Sequence, residues 1–241
     1  GLADQPLAAL RYMLKHPHGI ILVTGPTGSG KSTTLYAALS ELDRQTRNII
    51  TLEDPVEYKL KGITQVQVER RAGLNLPPVL RSVLRQDPDI IMVGELRDRE
   101  TVDVALAAAM TGHLVLSTLH TNDAPSAVTR LFDMGAQPYL VAARLVGVLG
   151  QRLVRRRCAA CAGSGCGECA GAGFRGRIAV YGVMVVGAGV RAQIARRATA
   201  DAIRNLASDN GMQSLAEDAR RKVEAGITTA QEAGPLLVSF Q

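Results

Sequence analysis

The sequence predicts an α/β protein with a mainly parallel sheet, then a short cysteine-rich stretch and a helical tail. Three observations carry that prediction. Apolar runs of strand length alternate with helical stretches four times in the first 150 residues, the pattern of a parallel sheet with helical crossovers. The first run, Ile20–Val23, enters Gly25-Pro26-Thr27-Gly28-Ser29-Gly30-Lys31-Ser32 and then a helical stretch, so a G-x-x-x-x-G-K-[ST] loop stands between a strand and a helix. All four cysteines lie between residues 158 and 169, which marks a local site and not a secreted disulfide framework.

The 241 residues are 46% hydrophobic but only 3% aromatic, without Trp. That suffices for a sizeable core, built from Ala, Val, Leu and Ile. The net charge of +6 gathers partly at Arg152, Arg155, Arg156 and Arg157, which permits an anionic partner without requiring one. No apolar run reaches the roughly 18 residues of a membrane span, and no leader-like pattern opens the chain. These features lead us to expect a soluble, cytosolic chain. It starts at Gly1 and enters a helical pattern at once, as a fragment of a longer protein would.

In order, Leu7, Leu10 and Leu14 have helical spacing over residues 4–15, closed by His16-Pro17-His18-Gly19. The strand at 20–24 and the glycine-rich loop follow, then a helix from Lys31 to about Leu42. Asn48–Leu52 reads as a strand that ends in Glu53-Asp54-Pro55-Val56-Glu57, and Gln65–Glu69 as a short one. A helix is expected over Leu76–Arg85, an apolar strand over 90–95 ending in Gly94-Glu95, and an Ala-rich helix over Asp98–Met110. His113–Thr118 is the next strand, with His120 just beyond it. A helix to Met134 and an apolar, helical stretch Pro138–Leu149 complete the first part. Beyond the cysteines, Arg177–Val186 is strand-like, and helical patches lie near 190–197, 199–208 and 213–225.

The chemistry follows from position. Glycines let the loop turn its N–H groups inward, and the helix start adds its dipole, so a polyphosphate fits there. Lys31 would reach the β- and γ-phosphates and Ser32 would hold Mg²⁺. Parallel sheets carry their chemistry beyond the carboxyl ends of strands, where Glu53, Glu57, Glu95 and His120 fall. Glu95 is the preferred carboxylate, better suited to polarising water than to holding a metal. Cys158-x₂-Cys161-x₄-Cys166-x₂-Cys169 suits tetrahedral Zn²⁺; an iron–sulphur cluster or unligated thiols are the alternatives. The tail has no aromatic platform for single-stranded nucleic acid.

Four stretches together resemble one family, the ATPases of type II secretion and type IV pilus assembly. Gly25–Ser32 resembles its Walker A loop, Thr51–Glu57 its acidic box, Asp89–Glu95 with Leu96-Arg97-Asp98 its Walker B ending in Gly-Glu, and Thr111–His113 through Ser117–Asn122 its His box. The resemblance covers nearly the whole chain. It implies a RecA-like P-loop NTPase core over 1–150 and a C-terminal region over 151–241, with a Cys-rich zinc-binding loop at 155–177 and a helical appendage at 190–233. It implies nucleotide contacts from Gly25, Pro26, Thr27, Gly28, Ser29, Gly30, Lys31, Ser32, Thr33 and Arg97. It implies catalysis by Glu95 with Glu53 and Glu57, and γ-phosphate sensing by His120 supported by His113. Arg81 and Arg97 would lie near a nucleotide or a subunit boundary.

The resemblance further implies a homo-hexamer when full length, peripheral on the cytoplasmic face of the bacterial inner membrane, working through inner-membrane platform proteins, without direct nucleic acid contact. It implies ATP, Mg²⁺ and Zn²⁺ as cofactors, and weak hydrolysis for this part alone. The paired cysteines favour the secretion and assembly branch over pilus retraction. A retraction motor, a DNA-translocating motor and a non-enzymatic module remain the rivals. Three departures stand out: a four-residue gap between the cysteine pairs, Gly182 where relatives usually carry Glu, and a tail at Glu232–Leu237 whose helix is expected to end early or be altered.

Overall fold

The computed structural model of the chain describes residues 2, 4–69 and 75–238. Seven strands, β1 (Gly19–Thr24), β2 (Ile49–Glu53), β3 (Thr64–Gln67), β4 (Ile90–Val93), β5 (Leu114–Leu119), β6 (Leu145–Arg157) and β7 (Phe174–Val185), form one sheet. Their order is β3-β2-β4-β5-β1-β6-β7. Every pairing from β3 to β6 is parallel, and only β6 and β7 run antiparallel. The parallel part of the sheet and its crossover helices are as the sequence predicts.

The parallel strands are apolar on both sides because both faces are covered. On β1, Ile20 and Leu22 join one core while Ile21 and Val23 join the other. The first core packs α3 (Leu76–Val83), α4 (Arg99–Met110), α5 (Ala124–Asp133) and α6 (Pro138–Arg144) on one face, with α7 (Ala188–Ala195) and α8 (Ala200–Asp209). The second packs α1 (Asp4–Leu14) and α2 (Lys31–Ser40) on the other. A third, smaller core sets Val154 of β6 and Val180 of β7 against Leu215 and Ala219 of α9 (Leu215–Glu224) and Ala233 and Leu236 of α10 (Ala230–Val238).

Two expectations need correction. The run Pro138–Leu149 is helical only to Arg144, and Leu145 begins the longest strand of the sheet. A short apolar run does not by itself distinguish buried strand from helix. The decision comes from partners: β1 on one side and β7 on the other leave a slot that only a strand fills. The composition shift near residue 151 therefore falls inside β6, with no break in the sheet. In the tail, α10 continues through Pro235 to Val238, beyond the early end the sequence suggests.

The free edge of β7 is covered locally. Gln213 bridges Val183, and the Asp218 carboxylate accepts from the Tyr181 N–H at 2.8 Å. Gly182 lies between these contacts, and a Cβ there would come within 3.0 Å of the Leu215 nitrogen. The space that a glutamate would need is filled by the start of α9.

Candidate functional site

A cavity of about 610 Å³ opens at the carboxyl ends of the parallel strands. Thr27, Gly28, Gly30, Lys31, Ser32 and Thr33 form one wall, and Glu53, Glu57, Glu95, Arg97 and His120 face them. Gly25, Pro26 and Ser29 do not line the cavity; Gly25 and Ser29 are buried and Pro26 is exposed. Gly30 caps α2 in the left-handed region (φ 86°), where a side chain would be strained. The Ser29 carbonyl accepts from Gln151 Nε2 at 2.7 Å, and Gln151 Oε1 accepts from the Thr34 hydroxyl at 2.8 Å. Thus β6 pins the loop and its helix from below. The Lys31 ammonium donates to the Gly25 and Pro26 carbonyls, each at 3.0 Å. Burial lowers its pKa, while the charge of Glu95 opposes that shift.

Three side chains from two strand ends meet opposite Lys31. Glu95, just past β4, accepts from Arg97 Nε at 2.6 Å through one oxygen and lies 3.1 Å from His120 Nε2 through the other. Both oxygens are therefore engaged. His120 follows β5, whose Thr118 hydroxyl donates to the Gly94 carbonyl at 2.7 Å and so joins the two strand ends. Beyond His120, Asn122 accepts from Arg152 of β6 at 3.2 Å. Asp123 caps α5 and takes two bonds from Arg204 of α8, at 3.1 and 2.7 Å. The His120 loop is thus tied to the C-terminal helices.

Glu53 is buried at 4% exposure and has no cation among its hydrogen-bond partners in the described residues. Its carboxylate accepts from the hydroxyls of Tyr36 and Thr51 (2.6 Å for Thr51) and from Gln65 Nε2 at 3.2 Å. Burial and the Glu53 carboxylate push the Tyr36 hydroxyl up to about 12, so it remains a donor. The same oxygen accepts from the Glu57 N–H at 3.3 Å. Tyr36 escaped sequence reasoning, although a signal exists: it lies four residues after Ser32, on the same face of α2. Gln151 left no such signal, because β6 was not recognised as a strand beside the loop.

Two expected residues lie apart from this group. His113 closes α4 instead, with Nδ1 2.9 Å from the Ala108 carbonyl. Arg81 pairs with Glu100 at 2.9 Å on the surface.

The cysteines meet at the tip of the β6–β7 hairpin, with their four sulphurs all within 4.8 Å of one another. Sulphur separations of 3.8–3.9 Å are far beyond a disulfide. They match the edge of a tetrahedron with Zn–S bonds of about 2.3 Å. Burial pushes the Cys158 thiol up to about 11. For Cys161 burial acts the same way, but the Gly165 and Gly163 amides and neighbouring cysteines overcome it and bring the thiol down to about 6. The donor set fits a closed zinc site.

The profile of the type II/IV secretion system protein family matches residues 1–234. The chain belongs to that family. Among its relatives, the type II secretion system protein HxcR of Pseudomonas aeruginosa is 50% identical over 240 residues, covering 96% of this chain and 51% of the relative. The type IV pilus assembly ATPase PilB of Myxococcus xanthus is 47% identical over 260 residues, covering 96% and 46%. Among solved structures, the pilus retraction motor PilT with bound ADP superposes with TM-score 0.77 and 33% identity, covering 98% of this chain and 65% of that one. The Legionella pneumophila ATPase DotB gives TM-score 0.77 and 27% identity, covering 98% and 63%. This member of the type II/IV secretion family thus spans about half the length of the curated relatives it matches. No helix among its described residues is long and apolar enough to cross a membrane.

Proposed function

We propose that this chain is the ATP-hydrolysing part of a secretion motor that drives pseudopilus assembly in type II protein secretion. The observation that carries the reading is the convergence of Lys31 and Ser32 with Glu53, Glu57, Glu95 and His120 on one cavity. Family membership supports it. The second reading is type IV pilus assembly, favoured by the similar identity to PilB.

The triphosphate lies over residues 27–33. Lys31 leaves the Gly25 and Pro26 carbonyls and donates to phosphate oxygens, which accept more strongly because they are charged. Bound Mg²⁺, held through the Ser32 hydroxyl, would supply neutralisation of phosphate charge. Glu95 takes a proton from the attacking water. Each of its oxygens bonds one partner, Arg97 or His120, and keeps a second lone pair for that proton. Arg97 and His120 stand on either side of it, placed to turn toward the γ-phosphate, which gives the site a way to register it. Glu53 supports the site by fixing Tyr36 and the Glu57 backbone. The four cysteines would hold Zn²⁺, which supplies a structural cross-link.

The full-length protein would be a homo-hexamer at the cytoplasmic face of the inner membrane, with platform proteins as partners. The test is Glu95→Gln in the full-length, ring-competent protein, with MgATP binding measured separately. The expected result is retained binding with turnover reduced by about 10²–10⁴-fold. Unchanged turnover would remove Glu95 from the mechanism.

A further inference from the structure

Gln151 of β6 is 2% exposed, and its side-chain amide holds the glycine-rich loop and the helix after it at once. Nε2 donates to the Ser29 carbonyl at 2.7 Å, and Oε1 accepts from the Thr34 hydroxyl at 2.8 Å. The Ser29 carbonyl can only accept, so a reversed amide would set oxygen against oxygen there. The Thr34 hydroxyl has one proton and gives it to Gln151. In its 3.3 Å contact with the Tyr181 hydroxyl, Tyr181 is therefore the donor. Tyr181 lies opposite Gln151 across β6 and β7, and burial raises its pKa, which keeps the proton on it. Its N–H is held by Asp218, which pairs with Lys222. The Gln151 amide thus has one orientation, set from both sides.

That orientation fixes one peptide of the loop. In a planar trans peptide the carbonyl and the following N–H point in opposite directions. With the Ser29 carbonyl turned to Gln151, the Gly30 N–H is turned away from β6, on the side where Gly30 lines the cavity. Such N–H groups are what a phosphate loop offers its ligand. Gly30 alone would not keep the peptide this way. Its φ is 86°, and reversal of the peptide would bring φ to about −90°, which glycine adopts as readily. The reversed peptide would present a carbonyl oxygen to the phosphates. Glycine permits both forms, and the bond from Gln151 holds one of them. The two residues are in close contact, since a Cβ built on Gly30 would come within 2.9 Å of Gln151 Nε2.

We infer that Gln151 is a positioning residue for nucleotide binding, which keeps the Ser29–Gly30 peptide with its N–H toward the phosphates before the nucleotide arrives. The inference rests on the reading of the cavity as an ATP site. Without Gln151 the loop divides between the two forms, and apparent affinity falls with the competent fraction. A loop competent about one time in ten binds about tenfold more weakly. Once the nucleotide is bound its phosphates hold the peptide, so the chemical step is spared.

The test compares the unmodified protein with Gln151→Met and Tyr181→Phe. Met is close to Gln in length and volume but makes neither bond. Tyr181→Phe also removes a buried hydrogen bond from this cluster, yet leaves the Gln151–Ser29 bond in place, so it reports what structural damage alone does. In MgADP titrations of the 241-residue protein, well below each melting temperature, Gln151→Met should bind at least about fivefold more weakly. Tyr181→Phe should stay within about twofold of the unmodified protein. In the full-length protein Gln151→Met should raise KM for ATP at least about fivefold and change kcat by less than about twofold, as loss of uniform binding does. That split is the opposite of the one expected for Glu95→Gln. Gln151→Asn, whose amide is one methylene short of the Ser29 carbonyl, should behave as Gln151→Met does and replaces it if the Met variant does not fold. The inference is overturned if these variants lose less than about fivefold in MgADP affinity, if Tyr181→Phe loses as much as they do, or if kcat falls while KM is unchanged. Failure of the unmodified protein to bind MgADP would instead overturn the nucleotide reading, and this inference with it.

Discussion

The cavity at the carboxyl edge of the sheet and the thiol cluster at the hairpin tip are built on opposite plans. The cavity gathers polar groups from residues 27 to 177, and for those at the parallel strand ends buried strands set the separations. The cluster takes all its sulphurs from residues 158–169, in a loop where Ala159, Ala160, Gly163 and Gly167 are exposed. In the first, chemistry sits on a frame that stands without it. In the second, the ligands are the frame. Loss of a polar group should therefore cost function at one site and structure at the other.

The largest effect that would sharpen this contrast is Lys31→Ala. Turnover in the full-length protein should fall by about 10²-fold or more, while the melting temperature of this chain stays within about 2 °C, since Lys31 bonds only to loop carbonyls. A large loss of stability would break the contrast. Next comes removal of the metal. Protein purified without added zinc should carry about one equivalent per chain. Chelation, or Cys161→Ser, should expose the amides of residues 158–173 to rapid hydrogen exchange and leave those of β1, β4 and β5 protected. Global loss of protection would show that the tip supports the sheet.

Tyr36→Phe tests an intermediate case, because it removes a donor from a buried carboxylate. The expected cost is about 1–3 kcal/mol, read as a lower denaturation midpoint, together with slower turnover. Full stability would mean that Glu53 finds another donor. The smallest effect is expected at the exposed Arg155–Glu232 pair. Arg155 holds the Glu232 carboxyl below its ordinary value. Its contribution is thus present above the ordinary carboxylate range and fades as pH falls through the lowered value. Arg155→Ala should narrow the difference in stability between pH 7 and pH 3, and an unchanged difference would show that the pair does not couple to folding.

Legibility in the sequence follows the same division. The gathering of the four cysteines could be read from the sequence, because spacing along the chain is their geometry. Of the cavity, the strand-end residues Glu53, Glu95 and His120 were legible, since in a parallel sheet position after a strand implies position in space. The contacts among them were not. That Arg97 rests on Glu95, and that Glu53 is closed over by Tyr36, Thr51 and Gln65, depends on rotamers and on distances between strands. The strand character of Leu145–Arg157 was hidden for a related reason. Val146, Gly147, Val148 and Leu149 form an apolar run without a period of its own, and β1 and β7 make it a strand.

That strand has a mechanical consequence. β6 passes beneath the phosphate loop at Gln151 and reaches Arg157, next to the first cysteine. At about 3.3 Å per residue, the distance between these points is roughly 20 Å. β7 pairs with it over most of that length, with a shift in register between Arg155 and Arg157, and Ile227 and Thr228 bond its far end, making an arm with its fulcrum under the phosphate loop and its tip at the thiol cluster. A tilt of about 5° at Gln151 would swing the tip by about 2 Å over such a length. Adjustments too small to notice at the loop would be plainly visible at the hairpin's end.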